Sequence, residues 1–212
     1  MLVVGLWKLL LYCILTKKIM TRLFLLAFLS VSLFSGGQNN YSANIDSVLV
    51  QDSIVYVKKC IAFIKEIMPQ ELSDTTFILA DKPFSFEYFE CIEELLSDTT
   101  SYTKEELSFI KEKQYPSLTK WTKEFFRNTR LVSSDTINAI FKDNSKWWTY
   151  FNKHIGRAFN TFSIPIFLRN DTYCLFYSDH SCGGLCGSGR LTLYKKENNK
   201  WTKVKSYCDW VS

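Results

Sequence analysis

The chain has 212 residues, a formal net charge of +5 at pH 7 and 47% hydrophobic residues. Four of its 26 basic residues and none of its acidic residues lie in residues 1–37, so the remainder of the chain is nearly neutral. A nucleic-acid-binding role needs a basic surface, and this charge balance excludes it. The remainder is long enough for one domain with a sizeable hydrophobic core.

Residues 20–37 have the organisation of a secretory signal peptide. Arg22 supplies the positive charge, an apolar stretch runs from Leu23 to Phe34, and the small residues that precede a cleavage site end at Gly37. We therefore predict a translation start at Met20, a leader that ends at Gly37, and a periplasmic or secreted protein.

The polar residues 38–45 are expected to form a flexible N-terminus after cleavage. The alternative is an uncleaved segment over residues 2–34, which would tether the protein to a membrane. Lys17 and Lys18 interrupt that segment and disfavour a single span of ~20 apolar residues. Only the uncleaved form implies a membrane partner.

The first part of the mature chain has helical periodicity. Residues 46–68 repeat apolar side chains at steps of three and four, which predicts an amphipathic helix that stops before Pro69. The pair Thr103 and Glu106 has the spacing of a capping box, which predicts a helix start. Further helices are predicted over Phe84–Leu96, Ser134–Phe141 and Lys146–Ile155.

The second part is rich in aromatic and β-branched residues, which predicts strands. Four are expected, over Ile164–Arg169, Thr172–Ser178, Arg190–Lys196 and Trp201–Tyr207. The turns Asn170-Asp171 and Asn198-Asn199 suit tight hairpins, because asparagine tolerates positive φ. We therefore expect a single α+β domain over residues 46–212, with N-terminal helices packed on a C-terminal antiparallel β-meander of about four strands.

One loop, Asp179 to Gly189, concentrates chemistry-bearing residues. Export makes a Cys182–Cys186 disulfide the default prediction, and a longer Cys174–Cys208 bridge is an alternative. Sequence alone does not fix the pairing. Cys60 and Cys91 lie on apolar helix faces, where buried free thiols are also common.

Other chemistries remain open for this loop. Cys182 could act as a catalytic thiolate with Cys186 or His180, although the spacing is not the Cys-x-x-Cys of thioredoxin-like enzymes. A zinc site would combine these three residues with Cys208 or Cys174, but a second matching ligand pair is missing. The glycines could instead bind an anion through backbone amides, without a complete phosphate-loop motif.

A non-catalytic structural or binding domain with a disulfide-pinned Cys-Gly loop is the function that the sequence favours. No metal or cofactor is expected. The partner remains open. Trp147, Trp148 and Phe151 could stack on a sugar, but aromatic residues at helical spacing more often pack in a core.

The order of motifs resembles that of a group of exported bacterial proteins of uncharacterised activity. The motifs are Trp148-x-x-Phe151, Phe162-Ser-Ile-Pro-Ile-Phe167, the Cys-x-x-x-Cys-Gly-x-Gly loop that ends at Gly189, and Lys200-Trp201. The resemblance covers roughly residues 103–207 and implies export and a C-terminal meander. Ile164 stands where an arginine is common in that group, and Asn198-Asn199 replaces its usual Asn-Gly turn.

Overall fold

A computed structural model describes residues 38–86, 92–113 and 118–212, with side chains described from residue 53 onward. The predicted leader at residues 1–37 and the alternative tether at residues 2–34 lie outside this part of the chain, as does Cys91. The chain divides into two units, residues 1–55 and residues 56–212. In the first unit, residues 38–55 are helical.

Six helices occur in the described residues. They are α1 (Gln38–Ile67), α2 (Pro69–Ser73), α3 (Ile92–Leu96), α4 (Lys104–Lys113), α5 (Ser134–Lys142) and α6 (Trp147–His154). Helix α1 includes residues 38–45, and the flexibility expected of this segment after cleavage stays a prediction. No glycine or proline lies between Gln38 and Met68, and nothing in the local sequence therefore interrupts the helix.

The predicted capping box at the start of α4 is confirmed. The backbone N–H of Glu106 donates to Thr103 Oγ1 at 3.2 Å, and the Thr103 N–H donates to Glu106 Oε2 at 3.0 Å. Helix α5 is capped differently, because Asp81 Oδ1 accepts the Ser134 N–H at 2.8 Å from 53 positions earlier in the chain. A distant carboxylate thus caps α5 instead of a local serine.

The helix predicted from Phe84 does not begin there. Phe84 forms a parallel β-bridge with Ser163, and its N–H donates to the Phe162 carbonyl at 2.8 Å. Its ring stacks on Tyr177 with the centroids 4.3 Å apart. Aromatic packing on the sheet therefore outweighs the helical periodicity of this segment.

The sheet is larger than predicted and is mixed rather than purely antiparallel. Its strands are β1 (Ile78–Ala80), β2 (Arg130–Val132), β3 (Phe159–Phe162), β4 (Ile166–Leu168), β5 (Tyr173–Gly183), β6 (Cys186–Glu197) and β7 (Lys200–Val211). The order is β2-β1-β3-β5-β6-β7, with β4 also paired to β5. The prediction of about four antiparallel strands is corrected: β1 pairs in parallel with both β2 and β3.

The predicted turn chemistry is present in the backbone. Asn198 and Asn199 have φ of 50° and 61° between β6 and β7. Asn170 and Asp171 have φ of 51° and 63° before β5. These positive values are the ones that a two-residue type I′ hairpin requires, and asparagine and aspartate adopt them readily.

The sheet carries hydrophobic clusters that hold the helices against it. Phe63 of α1 makes edge-to-face contacts with Phe167, Phe176, Tyr194 and Trp201, at centroid distances of 5.1 to 5.8 Å. A second cluster packs α3 and α4 against Leu175, Leu191 and Leu193, and a third joins α5 and α6 to β1 and β2. Within the described ranges, no helix is both long and apolar enough to cross a bilayer.

Candidate functional site

A cleft of about 520 Å³ opens between the polar ends of β3, β5 and β6 and the segment that contains α2. Its charged and polar lining includes Glu71, Asp74, Asn160, His180 and Arg190. A volume of this size lies within the range of small-molecule sites in proteins. The cleft is therefore the candidate functional site.

Strand register places a polar row across the floor of the cleft. Asn160 of β3 pairs with His180 of β5, and His180 pairs with Ser188 of β6. Two residues along, Ser178 pairs with Arg190. Because side chains alternate between the faces of a sheet, these five residues share one face.

The imidazole of His180 has a fixed orientation. Asn160 Nδ2 donates to the Ile78 carbonyl at 2.9 Å, and this contact directs the amide oxygen toward the histidine. Asn160 Oδ1 lies 3.0 Å from His180 Nδ1. Since an amide oxygen can only accept, Nδ1 carries the proton when the ring is neutral, and Nε2 is left as an acceptor.

Charges of both signs line the cleft without pairing across it. The one ion pair of Arg190 in the described chain is to Asp209 Oδ1, at 3.8 Å, which is too long for a hydrogen bond. Glu71 has no ion pair within the described residues. Burial raises the pKa of Tyr194 to about 12, and the charges of Arg190 and Glu71 make smaller contributions of opposite sign.

A half-buried residue, Asp179, adjoins the cleft floor. Tyr177 donates its hydroxyl to Asp179 Oδ2 at 3.3 Å, and Trp210 Nε1 donates to the Tyr177 hydroxyl at 3.2 Å. Burial raises the pKa of Asp179 to about 6. A Cβ at Gly189 would lie 2.7 Å from Trp210 Cε2 and 2.8 Å from the Tyr177 hydroxyl, so only glycine fits this rung of β6.

A disulfide between Cys182 and Cys186 closes the β5–β6 hairpin, with the two Cα atoms 5.0 Å apart. The strands reach Gly183 and Cys186, well past the predicted ends at Ser178 and Arg190. The segment predicted to be a loop is therefore mostly ladder. His180 and Ser188 lie two to three rungs from the bridge, so the disulfide restrains the strand ends that carry them.

The remaining cysteine predictions have mixed outcomes. Cys60 and Cys174 are buried free thiols, and burial raises the pKa of Cys60 to about 12. The alternative Cys174–Cys208 bridge is absent, because Cys208 is engaged in another disulfide. Cys174 instead faces the apolar cluster under α1, where it acts as a small hydrophobic side chain.

Of the residues predicted for the site, His180 lines the cleft, whereas Cys182 and Cys186 do not. Cys182 and Cys186 are oxidised, so neither is a thiolate in this state. No group of three or more potential metal ligands occurs in the described part of the chain, and the predicted zinc alternative that also uses Cys174 or Cys208 is not assembled there. The sequence reasoning missed Asn160 and Arg190; their polar alternation with His180 and Ser188 across the strands was the available signal.

The aromatic residues of α6 divide between two roles. Trp148 and Phe151 pack with Phe141 and Phe159 in the third cluster, as their helical spacing predicted. Trp147 is 51% exposed and lies beside Gly184 at the hairpin tip. The three rings therefore do not form one stacking face.

No protein-family model, curated protein or solved structure matches this chain. The resemblance to exported bacterial proteins stays a prediction. The fold and the cleft define a mixed-sheet α+β domain with a polar site at the ends of three strands, and the function is inferred from that site.

Proposed function

We propose that this protein is an exported, non-catalytic binding domain that holds a small polar ligand in the cleft. The observation that carries the proposal is the Asn160–His180 contact, because it fixes one imidazole nitrogen as an acceptor on the cleft floor. Such a prepared polar group lowers the ordering cost of binding. The cleft volume of about 520 Å³ suits a metabolite-sized ligand.

The disulfide supports a binding role by restraining the same hairpin. It joins the strand ends just beyond His180 and Ser188, and a restrained site loses less conformational freedom when a ligand arrives. A stable disulfide is also typical of exported proteins, which agrees with the leader predicted at residues 20–37. N-terminal sequencing of the mature protein tests export; a start at Gln38 is expected, whereas retention of residues 2–34 would favour the membrane-tethered alternative.

A non-catalytic role is favoured by the bonding of the polar groups. Within the described residues the His180 ring hydrogen-bonds to Asn160, and no serine or cysteine donates to it there. A nucleophile activated by histidine needs such a contact in its reactive geometry. Cys182 and Cys186, the two cysteines considered as partners of His180, are bonded to each other.

Chemical-shift mapping with a diverse fragment set tests the binding role. Saturable shifts are expected at the amides of Asn160, His180 and Arg190, and Asn160→Ala should weaken them because it releases the imidazole. Asn152→Ala, an exposed asparagine of α6 that does not line the cleft, is the matched control. If no fragment of any chemistry moves the cleft resonances, the domain is structural and the binding proposal fails.

A thiol–disulfide exchange activity is the second candidate, favoured by the exposure of Cys186 and the partial exposure of Cys182. An exposed disulfide is open to attack by an external thiolate, which would form a mixed disulfide with one sulfur and release the other. The reaction with reduced glutathione, followed by mass spectrometry, tests it. Exchange within minutes at neutral pH favours the redox role, and resistance favours the binding domain.

A further inference from the structure

Arg190 and Glu71, which carry opposite charges, line the same cleft and form no ion pair with each other. Arg190 projects from β6, and among the carboxylates of the described residues its guanidinium approaches that of Asp209, at 3.8 Å. Glu71 on the short helix α2 lines the same cleft and has no ion pair within the described residues. The two do not bridge each other, so each remains available to a ligand.

We propose that the ligand is a zwitterion, an amino acid or a short peptide, whose carboxylate binds Arg190 and whose ammonium binds Glu71. This inference rests on the proposed binding function of the cleft. Arginine presents a planar fork of donors that matches a carboxylate, and a carboxylate side chain is the natural acceptor for an ammonium group.

The polar groups next to Arg190 include hydrogen-bond donors and acceptors that suit the two ends of a zwitterion. Ser178 lies opposite Arg190 in the ladder, and Ser188 lies two residues from Arg190 on the same face, where both hydroxyls can donate to a carboxylate. His180 Nε2 is an acceptor when the ring is neutral, because Nδ1 donates to Asn160, and it can receive an N–H of the ligand. The site thus offers donors and acceptors side by side.

Ligands of one sign fit this lining less well. A phosphate or a simple carboxylate would bind Arg190 but would also meet the negative charges of Glu71 and Asp74. The pKa of Asp74 is lowered by hydrogen bonds from the backbone and side chain of Thr76, so it is ionised at neutral pH. A simple cation would meet Arg190 instead, and unmatched charges of this kind discriminate between ligands.

Titration with alanine, alanylalanine and blocked forms of the dipeptide tests the inference. The probes are alanine, alanylalanine, the N-acetyl form and the C-terminal amide of the dipeptide, and inorganic phosphate, each followed by chemical-shift changes at His180 and Arg190. The free dipeptide is expected to bind roughly tenfold or more tightly than either blocked form, because each blocked form loses one charge-assisted contact. The ammonium and carboxylate groups are further apart in alanylalanine than in alanine. Whichever of the two binds more tightly therefore shows whether the site takes a peptide or a free amino acid.

Single variants assign each end of the ligand to a side chain. Glu71→Gln should abolish the preference for the free dipeptide over its N-acetyl form while keeping the preference over the amide. Arg190→Gln should abolish the preference for the free dipeptide over its amide while keeping the preference over the N-acetyl form. Exposed residues that do not line the cleft, Glu124→Gln and Arg127→Gln, are the matched controls and should retain both preferences.

The outcomes separate this inference from the proposed function. If fragments bind the cleft but phosphate binds more tightly than the dipeptide, or no zwitterion binds, or both variants weaken every probe equally, the zwitterion inference is overturned and the binding domain stands. If neither fragments nor zwitterions move the cleft resonances, both fail.

Discussion

Asn160 Oδ1 lies 3.0 Å from Nδ1 of His180, across the β3–β5 ladder. The amide is held in this orientation by its second contact, to the Ile78 carbonyl on β1. Three strands thus determine which nitrogen of one imidazole faces the cleft. The parallel pairing of β1 with β3 is essential to this arrangement, because it brings the Ile78 carbonyl next to Asn160.

The first prediction concerns the tautomer of His180. In the wild-type protein the Nδ1–H form of the neutral ring should dominate, because Asn160 Oδ1 accepts that proton. Asn160→Ala should shift His180 toward a mixture of tautomers. Long-range ¹H–¹⁵N correlation spectra of the ring nitrogens measure this directly. His154, the other histidine of the chain, serves as an internal control, and an unchanged His180 spectrum in the variant would contradict the assignment.

The second prediction concerns the disulfide. Cys182→Ser combined with Cys186→Ser should destabilise the protein by about 2 kcal/mol, the chain-entropy estimate for so short a loop. The variant should also broaden the resonances of His180 and Ser188, because their strand ends lose a restraint. Urea denaturation and NMR line widths measure the two effects.

Cys60→Ala provides a contrasting control for the disulfide variant, since Cys60 is a buried free thiol. Cys60→Ala should lower the free energy of unfolding, because it removes packing contacts in the core. It should leave the NMR line widths of the β5–β6 hairpin unchanged. Equal stability of the double serine variant, together with loss of exchange with glutathione, would instead support the thiol–disulfide alternative.

The third prediction concerns the ion pair between Arg169 and Glu106. Arg169 Nε and Nη2 donate to the two carboxylate oxygens at 2.7 and 2.9 Å, which joins the end of β4 to α4. Glu106→Gln keeps an acceptor for the capping box but removes the charge. It should lower the free energy of unfolding by about 1–3 kcal/mol. Glu105→Gln, on the exposed neighbouring residue, should have a smaller effect.

The pH dependence of this pair follows from the pKa of Glu106. Hydrogen bonds from Arg169 lower that pKa below its ordinary value of 4.5, so the stabilisation is present at neutral pH and is lost as the pH falls through the lowered pKa. A double-mutant cycle with Arg169→Leu, measured by urea denaturation at closely spaced pH values from pH 7 down to the acid limit of folding, checks it. A coupling energy that does not decrease at any pH in this series would argue against the pair.

The fourth prediction concerns Asp179, whose pKa is raised by burial from 3.8 to about 6. The folded state therefore binds a proton more strongly than the unfolded state, so stability from this group is present below pH 4 and is lost as the pH rises to 6. The loss amounts to roughly 3 kcal/mol for a shift of this size. In the Asp179→Asn variant, the free energy of unfolding should no longer decrease between pH 4 and pH 7 for this reason.

Asp209→Asn is the matched control for Asp179, because Asp209 is exposed near the end of β7. The free energy of unfolding of Asp209→Asn should depend on pH in the same way as that of the wild type. Parallel profiles for the wild type and Asp179→Asn, measured by chemical denaturation at closely spaced pH values, would show that Asp179 titrates as an ordinary aspartate.

Local signals in the sequence predicted several elements correctly. The Thr103–Glu106 capping box and the asparagine turn at residues 198–199 depend on contacts within a few residues, and both are present. Helix α1 ends before Pro69 for the same kind of reason. The short strands β2 and β3 were missed, because three or four residues carry too little periodicity to be distinguished from loop.

Much of the candidate site depends on contacts that are distant in sequence. His180 was singled out for its position near Cys182, but its actual partner is Asn160, 20 residues away on another strand. Glu71 lines the cleft from a helix more than a hundred residues before Arg190. Their association follows from strand order and register, which no local pattern encodes.

The sequence by itself determined the α+β class and the hairpin turns and favoured the Cys182–Cys186 pairing, because each depends on periodicity or on residues that are close along the chain. Only the tertiary structure decided that the sheet is mixed, that Cys174 stays a free thiol, and that Asn160, His180 and Arg190 line one cleft. The physical reason is that strand pairing brings together residues far apart in the chain, and the energy that selects one pairing comes from burial across the whole sheet rather than from any single segment.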